Sequence, residues 1–269
     1  MKKIINKILF SFILIGLLPI SCFTQNKYKL VTTLNIESDF FTTDNQGNAY
    51  VVKANELTKY DKTGKELFKY SNKNFGNITF VDATNMLRIA VFYKDFLQVV
   101  FLDNTLSTNG DPVNLENIGF QQAQLVCTSH NSGLWLYDLQ NFELIRLDQN
   151  LSKAQQTGNL SVLLNMDVKP NYLLEYNNKV YLNNPSSGVL IFDIYGTYFK
   201  TINIKQAKRF QPIGDWVYYT ADKKVWAYNI IKTEEKEFAL PLSDFETFRL
   251  EAGILMLRTP QKIYLFTEE

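Results

Sequence analysis

An all-β, six-bladed β-propeller of four-stranded antiparallel blades is expected here on three observations. An apolar strand ending in a turn-former returns about every 40 residues. Each interval holds four short strand patterns, and one strand left over at the front matches one missing at the back. The recurring positions are Asp61, Asp103, Asp148, Asp193, Asn229 and Thr267, at spacings of 42, 45, 45, 36 and 38 residues. An aromatic content of 14%, within 46% apolar residues, suits strands packed sheet against sheet.

Residues 1–24 stand apart from the repeat. Lys2, Lys3 and Lys7 precede the apolar run Ile8 to Ile20, and small or polar residues follow, the pattern of a secretory signal and too short for a membrane span. The expected cut lies after Thr24, leaving 25–269 as a single propeller domain. The alternative is lipoprotein processing at Cys22, where Ser21 is a suitable small neighbour but Pro19 stands in place of the usual Leu. The address is therefore exported: periplasm, cell envelope or extracellular, with a membrane met only through a lipid anchor. Without the three signal lysines, the 28 basic residues become 25 against 27 acidic ones, a formal charge of −2. With no basic excess or cluster, nucleic acid is not an expected partner. Cys127, alone once the signal is removed, reads as a buried small hydrophobe.

The blades follow in chain order. Tyr28 to Ile36 is the orphan strand. Blade one has strands near 40–44, 49–53, 57–61 and 66–70, broken by turns rich in Asn, Asp and Gly such as Asp44 to Asn48 and Asp61 to Lys65. Blade two has 78–83, 87–93, 96–103 and a looser 111–115. Blade three has 120–128, 134–138, 142–148 and a weak outer strand near 157–163. Gln155 to Asn165 is the only stretch with any claim to be helical. Blade four has 172–176, 179–183, 189–193 and 198–204, and blade five has 210–213, 216–220, 224–229 and 235–240. Blade six supplies only 245–251, 254–258 and 262–267. Pairing the orphan strand beside the last one closes the ring and removes two open sheet edges.

Blade one resembles the NHL-type repeat of six-bladed propellers, through Asp44-x-x-Gly47-Asn48-x-Tyr50-Val51 and Leu57-x-x-Tyr60-Asp61-x-x-Gly64-Lys65. Other blades keep fragments, such as Asn131-x-Gly133 with Trp135 and Tyr137, or Asp193-x-x-Gly196. The resemblance implies the fold but no function, since NHL-like propellers include scaffolds, receptors, RNA-binding modules and metal-dependent enzymes.

The four repeating Asp residues come one per blade and read as turn caps, because a calcium site needs six or more converging oxygens. His130, the only histidine, sits in the first turn of blade three, on the face away from the ligand funnel. Its neighbours from Ser129 to Trp135 only loosely match the Asp-box turn of sialidase propellers. Five arginines (Arg88, Arg146, Arg209, Arg249, Arg258) make a carboxylate-binding triad hard to assemble. Trp135, Trp216 and Trp226 are expected as wedges between blades, and Phe40, Phe120, Phe210 and Phe245 near the axis.

Ligands of propellers usually meet the loops joining strands two and three and the loops entering each next blade. On this strand map that face presents Asp39, Tyr93, Lys94, Asp95, Asn183, Asn184, Lys208, Arg209, Asp222 and Arg258. No catalytic set, metal site or cofactor is expected. The leading reading is a non-catalytic binding or scaffold propeller for a protein or a polar or glycan ligand. The competing reading is a lactonase- or lyase-like enzyme, which needs acids such as Asp39, Asp82, Glu175 and Asp244 to converge on the axis.

Overall fold

The computed structural model describes residues 27–269; the expected signal, its cut after Thr24 and Cys22 lie outside the described residues. The orphan strand is β1 (Tyr28–Leu34). Blade one is β2 (Phe40–Thr43), β3 (Ala49–Lys53), β4 (Glu56–Tyr60) and β5 (Glu66–Ser71). Blade two is β6 (Phe80–Asp82), β7 (Ile89–Tyr93), β8 (Gln98–Leu102) and β9 (Val113–Asn114). Blade three is β10 (Ala123–Ser129), β11 (Gly133–Asp138), β12 (Glu143–Leu147) and β13 (Lys153–Gln156), followed by the helix α1 (Leu160–Leu164). Blade four is β14 (Tyr172–Tyr176), β15 (Lys179–Asn184), β16 (Gly188–Asp193) and β17 (Tyr198–Ile202). Blade five is β18 (Phe210–Ile213), β19 (Trp216–Ala221), β20 (Lys224–Asn229) and β21 (Glu235–Phe238). Blade six is β22 (Thr247–Glu251), β23 (Ile254–Arg258) and β24 (Ile263–Glu268).

These make six four-stranded antiparallel sheets, and β1 completes the sixth in the order β1-β24-β23-β22. Its register runs from Tyr28 opposite Glu268 to Leu34 opposite Ile263, so the ring closes as the unmatched strands require.

The core is not a single cluster. Side chains alternate along a strand, so a blade wedged between two others buries both faces, and its middle strands become nearly continuous apolar runs. In β3, Tyr50 and Val52 pack towards blade two while Ala49 and Val51 pack towards blade six. Buried apolar clusters fill each junction around the ring. Cys127 is one of these residues, fully buried, and burial pushes its thiol well above the ordinary range.

Two strand expectations and one tryptophan expectation need correction. The outer strand of blade three is β13, four residues before the expected 157–163. The residues after it form α1, because the Asn159 side chain accepts a hydrogen bond from Val162 N at 3.0 Å and Leu160 is buried. The outer strand of blade two shrinks to the two residues of β9. Trp135 is a wedge between blades three and four, and Trp226 packs partly buried at the junction of blades four and five. Trp216, however, lies half-buried beneath Lys236 Nζ of its own blade at 4.2 Å.

The recurring Asp residues do the turn work expected of them. In Asp61, Asp103, Asp148 and Asp193 one carboxylate oxygen accepts from the backbone N–H two and four residues on, at 2.8–3.0 Å. Among the described residues no helix is long and apolar enough to cross a membrane.

Candidate functional site

The loops joining strands two and three, and those entering each next blade, gather at one end of the ring around the axis. A cavity of about 590 Å³ lies there, lined by the inner strands and their entry loops. Inner strands sit where the blades crowd together, so large side chains at their entry ends meet across the axis. Phe40, Phe80, Tyr172, Phe210 and Phe245 line this cavity. Tyr172 anchors the group, edge-on to Phe80 at 5.7 Å and to Phe210 at 5.2 Å. Phe120, expected here, packs instead between blades two and three beneath Lys153 Nζ.

Of the ten residues nominated from the sequence, Asp39, Lys208, Arg209, Asp222 and Arg258 line the cavity. Lys94 and Asp95 are exposed on a 3-10 turn to one side. Tyr93, Asn183 and Asn184 face inward and are fully buried, a correction to their expected exposure. Tyr93 meets the Phe75 ring at 5.5 Å. Asn183 donates to Asn171 Oδ1 and Ala207 O, both at 2.6 Å, and Asn184 donates to Asp167 O and Ser187 Oγ. These amides hold loops together and have no donor left for a ligand.

Arginine is where the structure departs furthest from expectation. Three of the five, Arg209, Arg249 and Arg258, surround this one cavity. Their surroundings differ. Arg258 is buried and committed: Nε donates to Ser38 Oγ at 2.8 Å, a second nitrogen donates to Ser38 O, and a third pairs with Glu246. Arg249 donates from Nε to Thr43 Oγ1 at 3.1 Å. Arg209 makes no hydrogen bond or ion pair among the described residues. Its guanidinium carbon lies 4.5 Å from the Phe40 ring centroid and 5.7 Å from that of Tyr172, an electrostatic attraction to two ring faces. Burial draws the Arg209 guanidinium below its ordinary value, and the neighbouring charges of Arg249 and Arg258 push the same way. At the rim, Asp39 accepts from Ala54 N at 2.7 Å and from Lys53 Nζ at 3.2 Å. The Ala54 bond chiefly, with Lys53 beside it, lowers its carboxyl below the usual range.

The acids nominated for an enzymatic funnel do not converge. Asp39 lines it, whereas Asp244 is exposed and outside the lining. Asp82 and Glu175 sit at the far ends of their inner strands. Asp82 there accepts from Thr84 N and Oγ1 and, across the junction with blade three, from Thr128 N at 2.8 Å and Thr128 Oγ1 at 2.7 Å. Glu175 bridges blades four and three, accepting from Ser129 Oγ at 2.6 Å, Trp135 Nε1 at 2.7 Å and His130 N at 2.9 Å. His130 belongs to this cluster, at the end of the ring away from the cavity. A relay would need the serine and the acid on different imidazole nitrogens. Here Nδ1 faces both, 3.3 Å from Ser129 Oγ and 3.1 Å from Glu175 Oε1. The Ser129 proton is spent on Glu175, and Arg146 Nε donates to Ser129 Oγ at 2.8 Å. Among the described residues no three His, Cys, Asp or Glu side chains group as a metal site.

No family model matches the chain, and no curated protein matches its sequence. Solved structures do match. The Pan2 WD40 domain of Neurospora crassa superposes with a TM-score of 0.65 at 8% identity, over 90% of this chain and 95% of that one. Virginiamycin B lyase of Staphylococcus aureus gives 0.61 at 12% identity, over 90% and 100%. BamB of Moraxella catarrhalis gives 0.55 at 10%, over 89% and 99%. At such identities the likeness is one of fold alone, and the NHL resemblance stays confined to the motif in blade one.

Proposed function

We propose that this chain is an exported, non-catalytic binding propeller that holds a polar ligand, or a side chain of a protein partner, in the axial cavity. The export half of this reading is supported by the charged, then apolar, then small-residue pattern of positions 1–24. The binding half rests on one observation: a cavity of about 590 Å³ with an aromatic floor and charged side chains at its mouth. A volume and lining of this kind suit a small molecule. The structural likenesses fit any of several roles, since they join a WD40 domain, a lyase and BamB. The competing lactonase- or lyase-like reading asks for acids converging on the funnel. Asp82 and Glu175 being spent on blade junctions weighs against it.

Thr42, half-buried on β2 and lining the cavity, offers a way to fill it. Thermal unfolding of purified protein and of Thr42→Trp, each against fractionated envelope extract, tests the reading. A ligand at about 100 times its Kd stabilises by roughly 2.7 kcal/mol, so an active fraction should raise the Tm of the parent and leave the variant unmoved. Equal rises in both, or no active fraction at all, would overturn it.

A further inference from the structure

We infer that the axial cavity is a receptor for an anionic organic ligand, with the Arg209 guanidinium receiving a carboxylate or phosphate head and the aromatic floor receiving its planar apolar body. The inference rests on the proposed binding role of the cavity and names the charge and shape of what it binds. Five basic side chains line the cavity (Lys208, Arg209, Lys223, Arg249, Arg258) against three acidic ones (Asp39, Asp222, Glu246). Two of the three acids are already engaged, Asp39 with Lys53 and Glu246 with Arg258.

Arg209 carries the argument. A half-buried guanidinium costs desolvation energy that a partner normally offsets, yet Arg209 has only two ring faces. A structural arginine of this fold looks different: Arg146 and Arg258 are each held by three hydrogen bonds. Arg209 is instead positioned from the sides and left open at its donors. Planar guanidinium groups match carboxylate and phosphate oxygens two at a time, and Arg249 lines the same cavity with only its Nε engaged. The Tyr172 hydroxyl, also without a hydrogen bond among the described residues, lies on the floor beside them. Beneath, Phe40, Phe80 and Phe210 present rings to whatever carries the charge.

Calorimetric titration of the purified protein with benzoate, phenyl phosphate, inorganic phosphate and the neutral isostere benzamide tests this. An anionic arene should bind at least tenfold more tightly than benzamide, and the preference between benzoate and phenyl phosphate assigns the head group. Arg209→Gln should weaken the anion tenfold or more while its unliganded Tm stays level or rises, since an uncompensated cation has been removed. Arg209→Lys should recover the charge but not the full affinity. Benzamide binding as well as benzoate, in a manner lost in Thr42→Trp, would leave the cavity reading standing and sink the anionic one. Binding of inorganic phosphate alone, binding of none of the four, or an Arg209→Gln variant with unchanged affinity would each overturn the inference too.

Discussion

A polar group joins the blades at each junction of the ring, and at these groups single residues matter most. Lys59 Nζ of blade one donates to Asn104 O of blade two at 2.9 Å, and Asp82 of blade two accepts from Thr128 of blade three. Glu175 ties blade four to three, and Gly214 N of blade five donates to Tyr176 Oη of blade four at 3.0 Å. Gln211 exchanges two hydrogen bonds with the Leu250 backbone between blades five and six, and Arg258 and Arg249 reach from blade six to blade one. Each bond is worth about 1 kcal/mol net, but stranding its buried partners costs more. Glu175→Ala strands the donors of Ser129, His130 N and Trp135 together. It should lower the unfolding free energy by about 3 kcal/mol in urea titration. His130→Ala removes only a ring that is partly exposed and leaves its backbone bond to Glu175 in place, so its cost should be below ~1 kcal/mol. Equal costs for the two would show that the carboxylate is not the centre of the junction.

Strands, by contrast, are held by register. β1 supplies six paired positions to blade six and buries Tyr28 and Leu34 in two different junction clusters. Deleting residues 27–36 exposes both clusters and leaves β24 as an open edge. The expected outcome, by far-UV circular dichroism on heating, is loss of the cooperative transition or a fall in Tm of more than about 10 °C. An unchanged melt would contradict closure by β1. This strand was legible because an unpaired apolar segment at one end and a three-stranded unit at the other have only one economical arrangement. The repeating Asp turns were legible for a similar reason: an Asx turn is made by residues within four positions of each other. The cavity was half legible. Loop entry points such as Asp39 and Arg209 follow from the strand map, but which way a side chain faces turns on a single residue of register. Asn183 and Asn184, consecutive at the end of β15, and Tyr93, at the end of β7, are buried for another reason: these strands lie inside blades covered on both faces. Arg209 and Arg258 were nominated singly, but Arg249 and the grouping of all three were missed, because they come from an entry loop, an inner strand and a second strand. No local pattern links them.

For the ring as a whole, the question is how much its stability depends on where the chain is cut. The first and last described residues of the propeller lie together: Lys27 Nζ meets Glu268 at 2.6 Å and Glu269 N donates to Lys27 O at 3.0 Å. A short turn can therefore join β24 to β1 as a hairpin, and new ends can be opened elsewhere. Opening a turn between the third and fourth strands of another blade moves the closing role to that blade's outer strand. Cut near Asn109, the ring would be closed by β9, which pairs at two positions only. Cut near Tyr195, it would be closed by β17, which pairs at four. If closure strength follows the length of the closing pair, the natural protein should melt highest, the Tyr195 permutant next and the Asn109 permutant lowest. Both permutants should keep the binding behaviour of the parent, since neither cut touches the cavity lining. Two permutants melting together would mean that the apolar junctions and their polar bridges close the ring by themselves, with the shared blade adding nothing measurable.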